Sequence, residues 1–235
     1  MQEPSLGDLL NSSFKSQLNS IYTAMPCIVV AVDDMAAMRI SVQPVLNVKY
    51  KDGTSEERPV IFNVPVMMPG TNNTLISFPI SVGDTGMCMF SQRGLDTFKS
   101  GNGYPSTPTD FRKFDKRDAV FVPGLYPFGK SVNNPDIRKW PHNTNDLVIS
   151  HNIASGTEVE VRLGKNGNLT INTDQKVTVN AGTAEINADS TVWNGDIRHN
   201  GSFTNTGTLT SNGTVLDTHV HSGIQPGGSN TGEPV

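Results

Sequence analysis

Two histidines near the end of the chain, His219 and His221, are separated by one valine and have the residue type and spacing of paired metal ligands. In a β-strand, side chains two residues apart point to the same side, so both imidazoles would face one way. Imidazole is the commonest metal ligand in proteins, but two ligands alone make a weak site. The pair therefore indicates either two surface histidines or a metal site that other chains complete. The remaining histidines, His142, His151 and His199, have no spacing that completes a site within one chain.

A six-residue repeat precedes the pair and is the element that would position it. A glycine recurs every six residues, and an apolar residue follows each glycine by two positions. The glycines are Gly195, Gly201, Gly207 and Gly213, and the apolar residues are Ile197, Phe203, Leu209 and Val215. One hexamer holds a single apolar side chain and cannot bury it alone, so such repeats become stable by stacking or by sharing a core with other chains. The repeat predicts an elongated, oligomeric β structure.

Three chains around one axis would complete the histidine site. They would supply six imidazole nitrogens from His219 and His221, which is enough for closed octahedral coordination. A closed site leaves no position for water or substrate, so it is structural rather than catalytic. The ligand types do not identify the metal. By the general order of complex stability, such a site would bind copper or nickel more tightly than iron.

Composition divides the chain near residue 141. All eight methionines, both cysteines, all four tyrosines and nine of the ten phenylalanines precede it, whereas the rest is rich in Thr, Asn and Gly. The first part is able to build an ordinary core, and the second part cannot bury enough as a monomer to offset chain entropy. The net charge of −4 gives no sign of nucleic-acid binding. We expect synthesis in the cytoplasm, because neither a membrane-spanning run nor a signal peptide is recognised.

The first part is predicted to begin with an amphipathic helix over residues 5–22. Ser5 and Asp8 have the spacing of a capping box. The leucines of this segment, together with Phe14 and Ile21, fall near one helical face. The helix either packs on its own domain or docks on a partner ring, and the sequence favours neither alternative.

Residues 25–121 carry five or six short β-strand patterns separated by turn signals, which is typical of a small barrel. Lys51-Asp52-Gly53-Thr54 contains the Asp-Gly pair of a tight hairpin. Cys27 and Cys88 lie in apolar runs, and we interpret them as buried small hydrophobic residues rather than as a disulfide or a nucleophile.

Two polar features are candidates for binding or catalysis, and each has a simpler interpretation. Residues 93–118 interleave cations with aromatic side chains, as a nucleic-acid-binding loop would, but four aspartates offset most of the charge and indicate a salt-bridged loop. Glu158 and Glu160 form a carboxylate pair without special context and are interpreted as solvated strand positions. The sequence has no nucleophile motif, P-loop or dinucleotide-binding motif, so it predicts no enzyme.

The second part carries another repeat before the six-residue one. Apolar pairs recur every eight residues, and each pair occupies one face of a strand. The pairs are Val161/Leu163, Leu169/Ile171 and Val177/Val179. An interlocked or stacked β-helix explains both periods, because glycines fit its tight corners while Thr and Asn cover outward positions.

Several segments resemble the membrane-piercing central spike proteins of contractile-tailed bacteriophages, which are also called baseplate spike-tip proteins. In the first part the similar segments are Met25-Pro26, Ser41–Pro44, Val64–Val66, Phe78–Asp84, Phe90–Asp96 and Asp118–Pro127. In the second part the β repeats and His219-Val220-His221 resemble the needle and the tip of such spikes. The first-part segments extend over residues 20–128.

The resemblance implies an all-β fold in a parallel homotrimer. Its regions would be an N-terminal amphipathic segment (1–24), an oligonucleotide/oligosaccharide-binding (OB) barrel (25–128), a connector (129–146), a triple-stranded β-helix (147–218) and an apex with a metal-binding tip (219–235). It implies one iron ion per trimer, held octahedrally by six histidines, His219 and His221 of each chain. Another divalent metal is the alternative.

The resemblance also implies the partners and the role. The barrel would dock onto tail hub and baseplate proteins rather than onto nucleic acid. The spike would be assembled in the host cytoplasm and would sit at the tip of the contractile tail of the virion. The contracting sheath would drive it through the host outer membrane, which is a structural function and not a catalytic one.

Two other functions remain as alternatives. A receptor- or glycan-binding tail fibre protein needs an aromatic-rich exposed face on the tail, and Trp193 and Phe203 are too few to form one. A metal-dependent hydrolase needs an open coordination position with a general base nearby, and the sequence indicates neither. Fourteen residues follow His221, and they either fold back over the tip or fray.

Overall fold

The computed structural model describes residues 5–220 together with Gly223 and Gly227, so His221 lies outside the described residues. The chain divides into two compact units, residues 1–177 and residues 178–235. The described secondary structure is mostly β, with few helices. None of the described helices has the length and apolar character that a membrane span requires.

A helix, α1, covers Leu6–Asn19 and confirms the predicted capping box. The Ser5 hydroxyl accepts a hydrogen bond from the Asp8 backbone N–H at 3.2 Å, and the Ser5 N–H donates to the Asp8 carboxylate at 3.1 Å. These bonds satisfy donors that a helix start leaves without intrahelical partners. The apolar side chains of α1 stay exposed, and Phe14 is 63% exposed. The helix does not bury its apolar face on its own domain, which favours the docking alternative.

A five-stranded antiparallel sheet forms the centre of residues 24–123. The elements here are β1 (Ala24–Asp34), β2 (Arg39–Pro44), β3 (Val48–Lys49), β4 (Ser55–Glu56), β5 (Ile61–Pro65), β6 (Thr85–Phe90), a short helix α2 (Asp96–Ser100) and β7 (Ala119–Pro123). The strand order in the sheet is β5-β2-β1-β6-β7, and β3 pairs with β4 in a separate hairpin. Gly53 in that hairpin has a φ of 88°, which confirms the predicted Asp-Gly turn.

The five-stranded sheet curls until its two edge strands approach each other. A parallel bridge joins Val66, just after β5, to Phe121 in β7, and the Met67 N–H donates to the Phe121 carbonyl at 2.8 Å. Among the described residues, the buried apolar core consists of Cys27, Val29, Ile40, Val42, Ile61, Val64, Val66, Met68, Ile80, Cys88, Phe90, Ala119 and Phe121. Alternate residues of β6 and β7 point into this core. In the sequence both strands are continuous apolar runs, so the alternation appears only in the structure.

A glycine makes room for the largest fully buried side chain. The Phe121 ring is inaccessible to solvent and lies against Gly86 on the neighbouring strand β6. A Cβ atom at residue 86 would lie 2.5 Å from the Phe121 ring and would overlap the Val122 carbonyl oxygen. Because core side chains already pack at crystal-like density, this contact between β6 and β7 requires glycine at residue 86.

The polar loop of residues 93–118 is held against the sheet by one arginine. Arg112 forms ion pairs with three carboxylates, which are Asp96 at 2.5 Å, Asp110 at 2.6 Å and Asp118 at 2.7 Å. Asp118 is fully buried and also accepts a hydrogen bond from the Leu95 N–H at 2.8 Å. The prediction of a salt-bridged loop is confirmed.

A second antiparallel sheet follows the connector, which contains two single turns of 3₁₀ helix, Phe128–Lys130 and Pro135–Ile137. The strands of this sheet are β8 (Leu147–His151), β9 (Val159–Leu163) and β10 (Leu169–Thr173), with β9 in the centre. In the turn between β9 and β10, the Gly164 N–H donates to the Asn168 carbonyl at 2.8 Å. The first two pairs of the eight-residue period therefore lie on adjacent strands of one chain.

The second unit contains little regular secondary structure. Within residues 178–220 the structure has one hairpin, formed by β11 (Thr210–Ser211) and β12 (Thr214–Val215). Three of the four apolar side chains of the repeat are exposed, with Phe203 at 70%, and Val215 is half-buried. None of the described residues of this unit is a buried apolar residue. A single chain thus leaves the repeat without a core, as the composition predicts.

Candidate functional site

A tight hairpin ends the repeat just before the predicted metal ligands. Asn212 and Gly213 form its turn, with φ angles of 48° and 79°. Positive φ at both central residues is the geometry of the type I′ turn that suits two-residue hairpins. Beyond β12, the Leu216 N–H donates to the Leu209 carbonyl at 2.9 Å and closes the hairpin. The chain therefore reverses direction immediately before His219.

The His219 ring is tied to the backbone of this hairpin. Its Nδ1 atom lies 2.8 Å from the Leu216 carbonyl oxygen. A carbonyl oxygen only accepts hydrogen bonds, so Nδ1 carries the proton, and the lone pair of the neutral ring is on Nε2. Metal-ligating histidines typically donate their other ring N–H to such a partner, which fixes the tautomer and the ring orientation. A His219 ring in this tautomer would bind a metal through Nε2, and its role as a ligand stays a prediction.

The second predicted ligand, His221, lies outside the described residues, so its place beside His219 stays a prediction. In the described part of the chain, no three His, Cys, Asp or Glu side chains form a group that could hold a metal ion. His142 is buried, with its Nε2 atom 3.3 Å from the Asn133 side-chain oxygen. The described residues of one chain thus do not complete a metal site.

The interpretation of Glu158 and Glu160 as solvated residues is wrong, because each is only 1% exposed. Glu158 accepts hydrogen bonds from the backbone N–H groups of Lys139 at 3.2 Å and Ala154 at 3.0 Å. Glu160 is paired with Arg162. The sequence signal for this arrangement was the alternation of acidic and apolar residues along β9. Alternation shows that the two sets lie on opposite faces, but it does not tell which face is covered.

The ion pairs of the 93–118 loop shift the pKa values of their partners. Burial opposes ionisation of Asp118, but hydrogen bonds from Arg112 and from the Leu95 N–H hold the pKa of that carboxyl below its usual value. Hydrogen bonds from the Arg117 side chain lower the pKa of Asp115 to about 2. Arg112 and Arg117 are thus engaged with carboxylates of their own loop.

The two cysteines are free and buried, as predicted. A hydrogen bond with Cys27, together with burial, raises the pKa of the Cys88 thiol. The thiolate is the reactive form of cysteine, so a thiol that stays protonated is a poor nucleophile. Both side chains belong to the core of the curled sheet.

Comparisons with known proteins identify two segments of the chain. Residues 25–124 match the phage protein Gp138 N-terminal domain, and residues 213–235 match the GpV Apex motif. No curated protein matches the chain. The first match covers the curled sheet and its loops, and the second begins in the hairpin turn at Gly213 and includes both predicted ligands. A Gp138 N-terminal domain and a GpV Apex motif in one polypeptide indicate a spike-tip protein of the phage baseplate.

Proposed function

We propose that the chain forms the homotrimeric spike of a contractile phage tail and pierces the host outer membrane mechanically. The observation that carries this proposal is the contrast between a domain with its own core and a repeat whose apolar side chains stay exposed up to the Apex motif. Such a repeat needs further copies of itself to bury those side chains. Three identical chains meet this need and bring three histidine pairs to one axis.

The proposed regions of the spike place the apolar repeat where three chains can bury its side chains together. We assign an OB-type barrel to residues 25–128, a connector to 129–146, a triple-stranded β-helix to 147–218 and the apex to 219–235. Interleaved chains unfold slowly, because no protomer leaves without breaking every rung. The exposed apolar face of α1, in the 1–24 segment, supports docking of the base of the spike onto tail hub and baseplate proteins.

The apex metal would be held by His219 and His221 of the three chains. The hydrogen bond from Nδ1 of His219 to the Leu216 carbonyl supports this role, because it presents Nε2 as the ligand atom. A bound ion would clamp the three chain ends together where no further rung can stack. Iron is proposed from the family, and another divalent ion would serve the same structural purpose.

Mass measurement in solution, combined with elemental analysis, tests the proposal. We expect the wild-type chain to be a detergent-resistant trimer with about one metal ion per three chains, as a structural site shared by three chains requires. Changing both His219 and His221 to alanine should remove the metal and leave the trimer, whereas the control His199→Ala should keep both.

The two parts of the proposal fail in different ways. Stoichiometric metal in the double variant would contradict the assignment of the ligands. A wild-type chain that stays monomeric would contradict the spike itself.

A further inference from the structure

The last part of the connector lies as a strap on the polar side of the second sheet, which consists of β8, β9 and β10. We call residues 138–146 the strap. Successive strap residues are hydrogen-bonded to the sheet, and the pairs are Arg138 with Ser150, Lys139 with Glu158, and Trp140 with Arg162. At the other end of the strap, the Asp146 carboxylate accepts a hydrogen bond from the Lys165 N–H at 2.9 Å. Polar contacts therefore attach the strap to the sheet at both of its ends.

The strap covers charged groups but contributes no apolar residue to a core. In the described part of the chain, the last buried apolar residue in sequence order is Phe121, which precedes the connector. Glu158 and Glu160, in contrast, are each only 1% exposed. Burial of apolar surface is the main stabilising contribution in folding, whereas a hydrogen bond that replaces one to water contributes little net free energy. The strap is therefore held more weakly than the strands of the curled sheet.

Four buried polar atoms make the closed position of the strap less favourable still. Among the described residues, these are the buried side-chain atoms without a hydrogen-bond partner in the protein: Nδ1 of His142, Oε1 of Glu158, Oε2 of Glu160 and Nε of Arg162. All four belong to the strap or to the segment of β9 that it contacts. A buried polar atom without a partner loses its hydration and gains nothing in return. Water would reach these atoms if the strap moved away from the sheet.

We infer that the strap is releasable, so that residues 138–146 detach from the second sheet while the curled sheet stays folded. In the closed position, hydrogen bonds and ion pairs hold the strap. In the open position, water replaces those bonds and also reaches the atoms that lack partners. Local openings of this kind occur where few buried apolar contacts resist them. The two positions are a property of one chain and do not require the trimer.

Release of the strap would lengthen the link between the curled sheet and β8. Fully extended, residues 129–146 would span at most roughly 60 Å. In the proposed spike, contraction of the sheath loads this link. A strap that releases would then let the second sheet shift relative to the curled sheet without unfolding of either. This use of the strap rests on the proposed function, whereas the release itself does not.

Hydrogen exchange of the full-length chain tests the inference. The Lys139 N–H donates to Glu158 at 3.2 Å in the closed strap, so it exchanges when the strap opens. We expect peptides that cover residues 138–146 to exchange at least about tenfold faster than peptides that cover β7 of the curled sheet. A synthetic peptide of residues 138–146 gives the rate of the open position, and it should exchange faster than the strap does in the protein.

Two variants should open the strap to different extents. Glu158→Ala removes the acceptor of the Lys139 N–H, and we expect exchange in the strap and tryptic cleavage after Lys139 to become at least about tenfold faster. Ser150→Ala removes one contact with Arg138 and keeps the buried carboxylates, so both rates should rise about threefold. Ser150→Ala keeps the test valid if circular dichroism shows that Glu158→Ala unfolds the second sheet. Glu57→Ala is the matched control at an exposed position and should change neither rate.

Two results would overturn the inference. Wild-type exchange in the strap as slow as in β7 would mean that the strap is a fixed part of the fold. Wild-type exchange as fast as in the synthetic peptide would mean that the strap does not close. An intermediate rate that increases in Glu158→Ala or Ser150→Ala, but not in Glu57→Ala, supports the inference.

The mass of the wild-type protein in solution separates this inference from the proposed function. A monomeric chain with an intermediate rate of exchange in the strap would contradict the spike and support the releasable strap. A trimeric chain whose strap exchanges as slowly as β7 would support the spike and contradict the releasable strap.

Discussion

The curled sheet buries phenylalanine, whereas the six-residue repeat leaves it exposed to solvent. Phe121 of the curled sheet is inaccessible to solvent, whereas Phe203 of the repeat is mostly exposed. The curled sheet surrounds its apolar residues with neighbours from distant parts of one chain. A hexamer with one apolar residue has no such neighbours within its own chain. The comparison shows that the first region folds around a core of its own, whereas a single chain gives the second region no core.

The largest effect that tests this comparison is expected from Phe121→Ala. Removing a fully buried ring from a packed core should lower the free energy of unfolding of the curled sheet by about 3–5 kcal/mol. Chemical denaturation followed by circular dichroism measures the loss. Phe62→Ala, in the same sheet but 68% exposed, is the control and should change the stability by less than about 0.5 kcal/mol. Equal losses for the two variants would mean that the curled sheet has no core of its own.

A somewhat smaller effect is expected from Arg112→Ala. The substitution leaves Asp118 buried without its charged partner, which should cost about 3 kcal/mol. Thermal and chemical unfolding of the full chain measure this loss. Arg117→Ala removes an ion pair with Asp115 at the surface and should cost at most about 1 kcal/mol. If Arg117→Ala lowers the free energy of unfolding as much as Arg112→Ala does, Arg112 is not the residue that anchors the loop.

The smallest effect is expected from lowering the pH, which should reduce the stability of the curled sheet and its 93–118 loop. The pKa values of Asp115 (about 2) and Asp118 are lowered in the folded state, whereas an unperturbed aspartate has a pKa of about 3.9. A carboxyl group with a lowered pKa contributes stability above its unfolded-state pKa, and the contribution is lost as pH falls through the folded-state pKa. The melting temperature should therefore decline between about pH 4 and pH 2.

Substitution of one aspartate assigns this acid effect. Asp115→Asn should flatten the decline of the melting temperature between about pH 4 and pH 2, because the amide has no proton to gain. Asp196→Asn in the tail is the matched control and should keep the wild-type slope. If the melting temperature of Asp115→Asn falls with pH as steeply as that of the wild type, the ion pair of Asp115 and Arg117 does not cause the acid effect.

Local patterns predicted the first region well, because its strands and turns depend on neighbouring residues. The capping box at Ser5, the Asp-Gly turn at Gly53 and several short β-strands between residues 25 and 121 are all present in the structure. The covered face of β9 was predicted wrongly. Which face the connector covers depends on contacts between Glu158 and Lys139, nineteen residues apart, and no local pattern contains them.

The candidate site was predicted only in part, because much of it depends on groups beyond the local sequence. The spacing of the histidines pointed to His219, and the Asn-Gly pair fits the observed hairpin. The hydrogen bond from His219 to the Leu216 carbonyl requires the turn between them, which periodicity does not show. Of the other ligands of the proposed site, His221 lies outside the described residues and the rest belong to two other chains, so the described fold of one chain does not fix their positions.

The bridge between Val66 and Phe121 also affects the order in which the parts of the chain can fold during synthesis. Phe121 is the last of the described core residues in chain order, so the domain can close while residues 122–235 are still being synthesised. At about 5–20 residues per second, synthesis of that remainder takes roughly 6 to 23 s. Each repeat therefore leaves the ribosome behind a domain that has already had time to fold. In the proposed trimer, the apolar tails would then meet as extensions of domains that are already folded.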